Sequence, residues 1–205
     1  MSRLIHRCVI AVLVTVAAAA CMNLGPTASQ DTRYYLLEPV SAPDGPKTAA
    51  ALPAGTVIGL GPVTVASYLD RPQIVTRLRD NRIRVDEFNR WGEPLRDAVT
   101  RVLMDNVSLM TGDQRVLAFP WKRSQKVTVQ VAVAVSGFEA NDNGAVTLRA
   151  RWQLLDGDGE RLDERRTEIT RASGGDYGQV AAAMSSLLSD LAGEIYQAVA
   201  DMPHR

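Results

Sequence analysis

Val127-Thr-Val-Gln-Val-Ala-Val-Ala-Val-Ser136 alternates valine with a small or polar residue over ten positions. Successive side chains of a strand point to opposite faces, so this period puts Val127, Val129, Val131, Val133 and Val135 together on one buried face. Asn141-Asp142-Asn143-Gly144 follows with turn chemistry. A second strand then places Leu148, Ala150, Trp152 and Leu154 inward and Arg149, Arg151 and Gln153 outward. Asp156-Gly157-Asp158-Gly159 turns the chain again, and Arg161 to Arg171 returns as a third, more polar strand. The three predict an antiparallel meander with one face in the core.

Working outward, the segment after the meander reads as a long helix. Tyr177, Val180, Met184, Leu187, Leu188, Leu191, Ile195 and Val199 recur at helical spacing, Ser185, Ser189, Asp190 and Glu194 fall mostly off that stripe, and Pro203 ends it. Before the meander, Pro94 sits where a first-turn proline is tolerated. Leu95, Ala98, Val99, Val102, Leu103, Asn106 and Met110 then form a second stripe, Arg96, Asp97, Thr100, Arg101 and Asp105 face solvent, and Gly112 marks the stop. Further upstream, Ile74 to Arg79 and Arg82 to Phe88 flank the turn pair Asp80-Asn81 and predict a hairpin. Thr56 to Ala66 is β-branched but broken by Gly59, Gly61 and Pro62, a strand with a kink or bulge. Val40 to Pro53, rich in Pro, Gly and Ala, is a loop, and Tyr34 to Glu38 a first strand. The sum is one α+β domain over residues 33–203, a mostly antiparallel sheet with two helices packed on one face.

The first 32 residues read differently. Met1 to Arg7 is short and positive, and Val9 to Ala20 is apolar apart from Thr15, too short for a spanning helix of about 20 residues. Residues 1–20 are therefore expected to be an export signal. Ala18-Ala19-Ala20-Cys21 resembles a lipobox, in which Cys21 becomes the acylated new N-terminus. Ala18 stands where such boxes usually carry leucine, and Ala18-x-Ala20 also suits ordinary signal cleavage. Residues 21–32 then form the lipidated cysteine and a small, polar stretch whose composition suits a flexible tether. Fully extended, Met22 to Thr32 would reach about 36–40 Å. Stable anchoring takes more than one acyl chain, as a processed lipoprotein cysteine carries. Met22 is not the aspartate that signals inner-membrane retention, so the reading leans to the outer membrane.

Composition excludes several classes. Apolar residues make up 46%, enough for a real core. Removing residues 1–20 takes Arg3 and Arg7 and no acid from 23 basic and 23 acidic side chains, leaving 21 against 23 and a formal charge of −2. That argues against a nucleic-acid partner. Cys8 and Cys21 leave the mature domain no disulfide, and His6 and His204 are badly placed for chemistry. Gly59-Leu60-Gly61-Pro62 begins like a dinucleotide fingerprint, but Pro62 removes an N–H that a phosphate would need. Asp156 to Glu160 resembles part of a calcium loop, but position twelve is Thr167. Neither catalytic residues nor a metal or cofactor is expected.

Two polar segments stand out, Tyr68-Leu69-Asp70-Arg71-Pro72 and Arg90-Trp91-Gly92-Glu93-Pro94-Leu95. In the second, a tryptophan staple with Glu93 at the positive helix end is one reading. An interface role, for a partner or an oligomer, is the other, and its candidates are Tyr68, Asp70, Arg71, Trp91 and Glu93. With Tyr34-Tyr35-Leu36-Leu37, Gly61-Pro62-Val63 and Gln73-Ile74-Val75-Thr76-Arg77, these segments resemble the PqiC family by order and spacing over residues 34–110. Those are auxiliary lipoproteins of ABC-type and related lipid transport systems. The resemblance implies a non-enzymatic outer-membrane lipoprotein, its domain on the periplasmic side. Its partners would be an MCE-domain protein and inner-membrane transporter components, with phospholipid as cargo. It also implies a homo-oligomer, since a ring-shaped partner favours a ring-forming cap. A lipid-binding carrier, or a structural lipoprotein assisting another envelope complex, is the alternative. The one site residue the family transfers is Cys21.

Overall fold

The computed structural model describes residues 30–40, 52–112, 115–122 and 124–202. The expected signal, Cys21 and most of the tether and of the 40–53 loop lie outside them. Thr32–Arg205 forms one compact unit. Its strands are β1 (Arg33–Tyr35), β2 (Ile58–Val65), β3 (Gln73–Arg77) and β4 (Ile83–Trp91), followed by helix α1 (Leu95–Thr111). Then come β5 (Val116–Ala118), β6 (Val129–Asn141), β7 (Ala145–Asp156), β8 (Arg161–Ala172) and helix α2 (Tyr177–Ala200).

The meander is as expected: β6, β7 and β8 pair antiparallel along their lengths. So is the β3–β4 hairpin, where Asp80 and Asn81 both take positive φ, near 60°, and Leu78 N–H bonds Arg82 O at 2.8 Å. The sheet as a whole is not mostly antiparallel. Among the described residues, four of the seven pairings are parallel: β1 with β4, β2 with β5, β2 with β6, and β3 with β6. The cause is the central strand. One edge of β6 takes β7, while the other takes β2 along its first half and β3 at Ala140 and Asn141. Helix α1 carries the chain back so that β5 and β6 run in the direction of β2.

Two bulges set which face is buried. In β6 the register shifts between Val135 and Gly137, so the inward face passes from Val129, Val131, Val133 and Val135 to Phe138 and Ala140. In β2 it shifts between Leu60 and Val63, around the cis Gly61–Pro62 bond. Ile58 and Leu60 point inward before the bulge and Val63 after it. One extra residue per strand bends it and raises local twist, and two such bends on neighbouring strands curl the sheet over its helices. Phe119, just beyond β5, packs over the φ +122° Gly61, where a Cβ would lie 2.6 Å from the Phe119 Cβ.

Both helices bury the expected stripes against the valine face. Leu95, Ala98, Val99, Val102, Leu103, Asn106 and Val107 of α1 are buried, with Met110 partly so. Gly112 is the left-handed cap of α1 at φ 64°, and the Asp176 carboxylate caps α2 by accepting Gln179 N–H at 2.9 Å. Ser185 and Ser189 are buried rather than off the stripe. They meet the chain after β1, which is shorter than the expected 34–38 strand. Ser185 Oγ accepts Glu38 N–H at 3.0 Å and Ser189 Oγ donates to Val40 O at 3.1 Å. From α1, Asn106 Oδ1 accepts Val40 N–H at 3.1 Å and Arg101 donates to Leu37 O at 2.8 Å. A strap without ladder partners thus has its backbone bonded by side chains of both helices, which buried backbone requires. It also explains a polar Asn106 on an apolar stripe and a half-buried Arg101 where solvent exposure was expected.

Candidate polar cleft

Residues 66–72 cross from the end of β2 to the start of β3, bridging the gap along the edge of β6. The crossing starts with Ala66 N–H bonded to Val135 O at 2.9 Å and turns on Leu69 N–H to Ala66 O at 2.9 Å. Each residue of the first polar segment then has its own task. Leu69 is buried in the core. Tyr68 reaches the β6 bulge, and Asp70 and Arg71 face a cleft. Pro72 O accepts Trp91 N–H at 2.7 Å, which joins the segment to the second one.

That junction needs an excursion in β4. The β3–β4 register jumps between Gln73, opposite Arg90, and Val75, opposite Val85. Asp86 Oδ1 organises the intervening chain by accepting Phe88 N–H at 3.0 Å, Asn89 N–H at 2.8 Å and the Asn89 amide at 2.9 Å. Its other oxygen accepts the Tyr177 hydroxyl at 3.0 Å. Burial alone would raise the Asp86 carboxyl, but these bonds outweigh it and hold it below its ordinary value.

The two segments converge on one open cleft of about 440 Å³, lined by Asp70, Arg71, Pro72, Trp91, Gly92, Glu93, Pro94 and Arg96. Trp91 is buried at its floor as the last residue of β4. Arg96 lies 3.9 Å from Asp70 across the mouth, both partly exposed. Arg71 Nε is buried and has no hydrogen-bond partner among the described residues. Glu93 does not cap the helix; it accepts a bond from Arg101 two turns along α1, and that bond raises the Arg101 guanidinium above its ordinary value. Of the five expected site residues, four therefore line this cleft, and, among the described residues, Asp70 and Arg71 are the two that neither core packing nor an ion pair beyond Asp70–Arg96 occupies.

Tyr68 belongs to a separate network that the sequence did not reveal. Glu139 follows the β6 bulge and points to the outer face of the sheet, yet its side chain is only 2% exposed. It accepts the Tyr68 hydroxyl at 2.9 Å, Phe138 N–H at 2.7 Å and Arg77 Nε, with Arg149 Nη1 3.8 Å away. Arg77 also donates to the Tyr68 hydroxyl at 2.8 Å. Desolvation, then the Glu139 carboxylate, raises the Tyr68 phenol above its ordinary value. The missed signal is the break in valine alternation at Ser136-Gly137, which marks the bulge and the face change.

A second concavity, an open groove of about 710 Å³, lies at the far end of the meander. It is lined by apolar Val129, Leu154, Leu162, Val199 and Met202 and by charged Asp163 and Arg165, among others. Among the described residues, no helix is long and apolar enough to cross a membrane.

The sequence that builds this fold is that of a lipoprotein family. Residues 35–196 match the family model described as ABC-type transport auxiliary lipoprotein component, and the chain belongs to that family. The match carries the resemblance drawn from residues 34–110 through the meander and α2. Among solved structures, an uncharacterized protein is similar at 18% identity and TM-score 0.67, over 82% of this chain and 99% of that one. A Xanthomonas campestris protein of the DUF330 family is similar at 20% identity and TM-score 0.61, over 80% and 92%. These likenesses show the fold. No curated protein matches the chain. An auxiliary transport lipoprotein fits a lipid-anchored place in the envelope and implies partners.

Proposed function

We propose that the protein is a non-enzymatic subunit of an MCE-type phospholipid transport system, anchored to the periplasmic face of the outer membrane. In this reading residues 1–20 are the export signal, Cys21 is acylated, residues 21–32 are the tether, and the domain from residue 33 docks partner chains. It assembles as a homo-oligomer beside an MCE-domain protein, whose inner-membrane components supply the energy. The observation that carries the reading is the convergence of the two motif segments on one open, charged cleft. Asp70, Arg71 and Arg96 offer both signs of charge over a buried tryptophan floor, the anatomy of a polar contact around an aromatic anchor.

The test is a photo-crosslinking amino acid at Asp70 or Arg96 in the acylated chain, in native membranes, with the captured chains identified by mass spectrometry. Capture of an MCE-domain protein is expected. Capture of an outer-membrane assembly machine instead would refute the transport role and leave the lipoprotein reading in place. A Cys21→Ala chain that fully complements a deletion would refute the anchoring part. The groove beside α2 favours a second reading, a lipid carrier, because its volume lies within the range of about 300–1,000 Å³ of ligand pockets. Native mass spectrometry of the purified protein without bound lipid would remove that reading.

A further inference from the structure

The corner of the domain where the chain enters carries an apolar surface. Tyr34 is 65% exposed and Leu36 51% exposed. Tyr35 between them turns inward, toward Tyr177 at a ring distance of 6.2 Å, so Tyr34 and Leu36 share the outer face. Tyr34 pairs with Arg90 of β4, and Phe88, two residues before Arg90, is 41% exposed. Gly92 makes room beside them: a Cβ there would sit 2.9 Å from Leu36 Cδ2. Three large apolar side chains therefore gather around the three-residue strand β1, which ends the sheet. Arg33 and Arg90 flank them.

We propose that this corner, Tyr34, Leu36 and Phe88 with Arg33 and Arg90, is a bilayer-contact surface that rests in the lipid interface. The proposal rests on the reading that Cys21 is acylated. Eleven residues separate Cys21 from Arg33, and covalent geometry limits their reach to about 36–40 Å. The first exposed aromatic side chain, Tyr34, comes two residues after the end of that stretch. This corner is thus the part of the domain whose distance from the membrane the chain itself restricts. Tyrosine and arginine suit the headgroup layer, where an amphipathic ring or a long cationic stem keeps its polar end wet. Leucine and phenylalanine add apolar area that reinforces the acyl anchor. The contact would hold β1 against the membrane and fix the direction in which the Asp70–Arg71 cleft faces.

The mature chain offers a clean test because Cys21 is its only cysteine. Single cysteines at Tyr34, Leu36 or Phe88, and at Leu109 and Phe119 as controls, are labelled with nitrobenzoxadiazole in the acylated full-length protein. The labelled protein is reconstituted into vesicles of phosphatidylethanolamine and phosphatidylglycerol, with and without spin-labelled lipid, and flotation is measured in parallel. Blue-shifted emission and quenching by the spin-labelled lipid are expected at 34, 36 and 88, with neither at 109 and 119. Protein that floats but shows no lipid quenching at 34, 36 and 88 overturns the proposal and leaves the lipoprotein reading intact. A blue shift without lipid quenching also overturns it, and assigns the corner to a second protein copy. Protein that fails to float overturns the acylation reading and the proposal with it.

Discussion

Replacing Glu139 tests whether the Tyr68 network holds the β6 bulge. Glu139→Ala removes a carboxylate that accepts the Tyr68 hydroxyl, Phe138 N–H and Arg77 Nε. Removing one partner of a fully buried pair costs about 3–5 kcal/mol. Here the Arg77 side chain is 38% exposed and water can take over part of its solvation. The Tyr68 hydroxyl keeps its bond from Arg77. The buried Phe138 N–H, in contrast, is left without its acceptor. The expected loss is about 2–4 kcal/mol. For a unit of this size that lowers Tm by roughly 4–16 °C. Glu139→Gln keeps one oxygen that accepts from Tyr68 and Phe138 but turns an NH2 toward Arg77 Nε in place of its acceptor, so it should cost about 1–3 kcal/mol. Tyr68→Phe removes the hydroxyl and should cost about 1 kcal/mol.

The assay is urea and thermal unfolding of the Cys21→Ala chain, followed by circular dichroism, with the double variant Tyr68→Phe/Glu139→Gln closing the cycle. Residues in one network couple by about 0.5–3 kcal/mol. A Glu139→Ala loss under about 0.5 kcal/mol, the ordinary effect of a surface substitution, would refute the argument that this carboxylate holds the bulge. Additive single effects of Tyr68→Phe and Glu139→Gln would refute their coupling. A Tyr68→Phe chain of normal stability that no longer crosslinks its partner would move Tyr68 from the network to the interface.

At the cleft, Asp70→Lys should leave stability within about 0.5 kcal/mol, because the Asp70–Arg96 pair is long and solvent-facing; partner capture should fall with it, and Asp70→Lys/Arg96→Glu should restore part of the capture. Asn106→Ala withdraws the acceptor of Val40 N–H and should cost about 1–3 kcal/mol in chemical denaturation; Ser189→Ala, which removes the donor to the carbonyl of the same residue, should cost about 1 kcal/mol. Stability should also fall at acid pH through Asp86, whose folded value lies below its unfolded one. Its contribution is complete above the unfolded carboxylate value of about 4 and is lost as pH falls through the lowered folded value, so Asp86→Asn should flatten the acid limb of a denaturation profile. Tyr177, raised by burial and then by its bond to Asp86, works in the opposite direction: its contribution is present below about 10 and is lost as pH rises through the raised value.

Local periodicity made the elements legible and left their neighbours open. The meander, the hairpin turn at Asp80-Asn81, both apolar stripes and the Gly112 stop follow from period and turn chemistry within one segment. The parallel pairings do not, because β2 meets β6 about seventy residues away and no local signal names that partner. β5, three residues long, is too short to show a period. Ser185 and Ser189 looked solvent-facing because a polar residue on a helix is ordinarily so. They are buried by a strap whose backbone carries no periodic signal.

The candidate site was legible in the same uneven way. The two polar segments stood out by type and order, and they meet in space. Their shared prominence nevertheless has two different causes. Tyr68, Leu69, Pro72, Trp91 and Glu93 are occupied with holding the crossing, the end of β4 and the start of α1 in place. Asp70, Arg71 and Arg96 are left facing the cleft, and Arg71 Nε is buried without a partner among the described residues, an arrangement that costs free energy unless something else is gained. A test of partner binding therefore belongs at the second group, where a substitution can change recognition without disturbing the fold. A substitution in the first group would lower stability and binding together, and could not tell an interface from a scaffold.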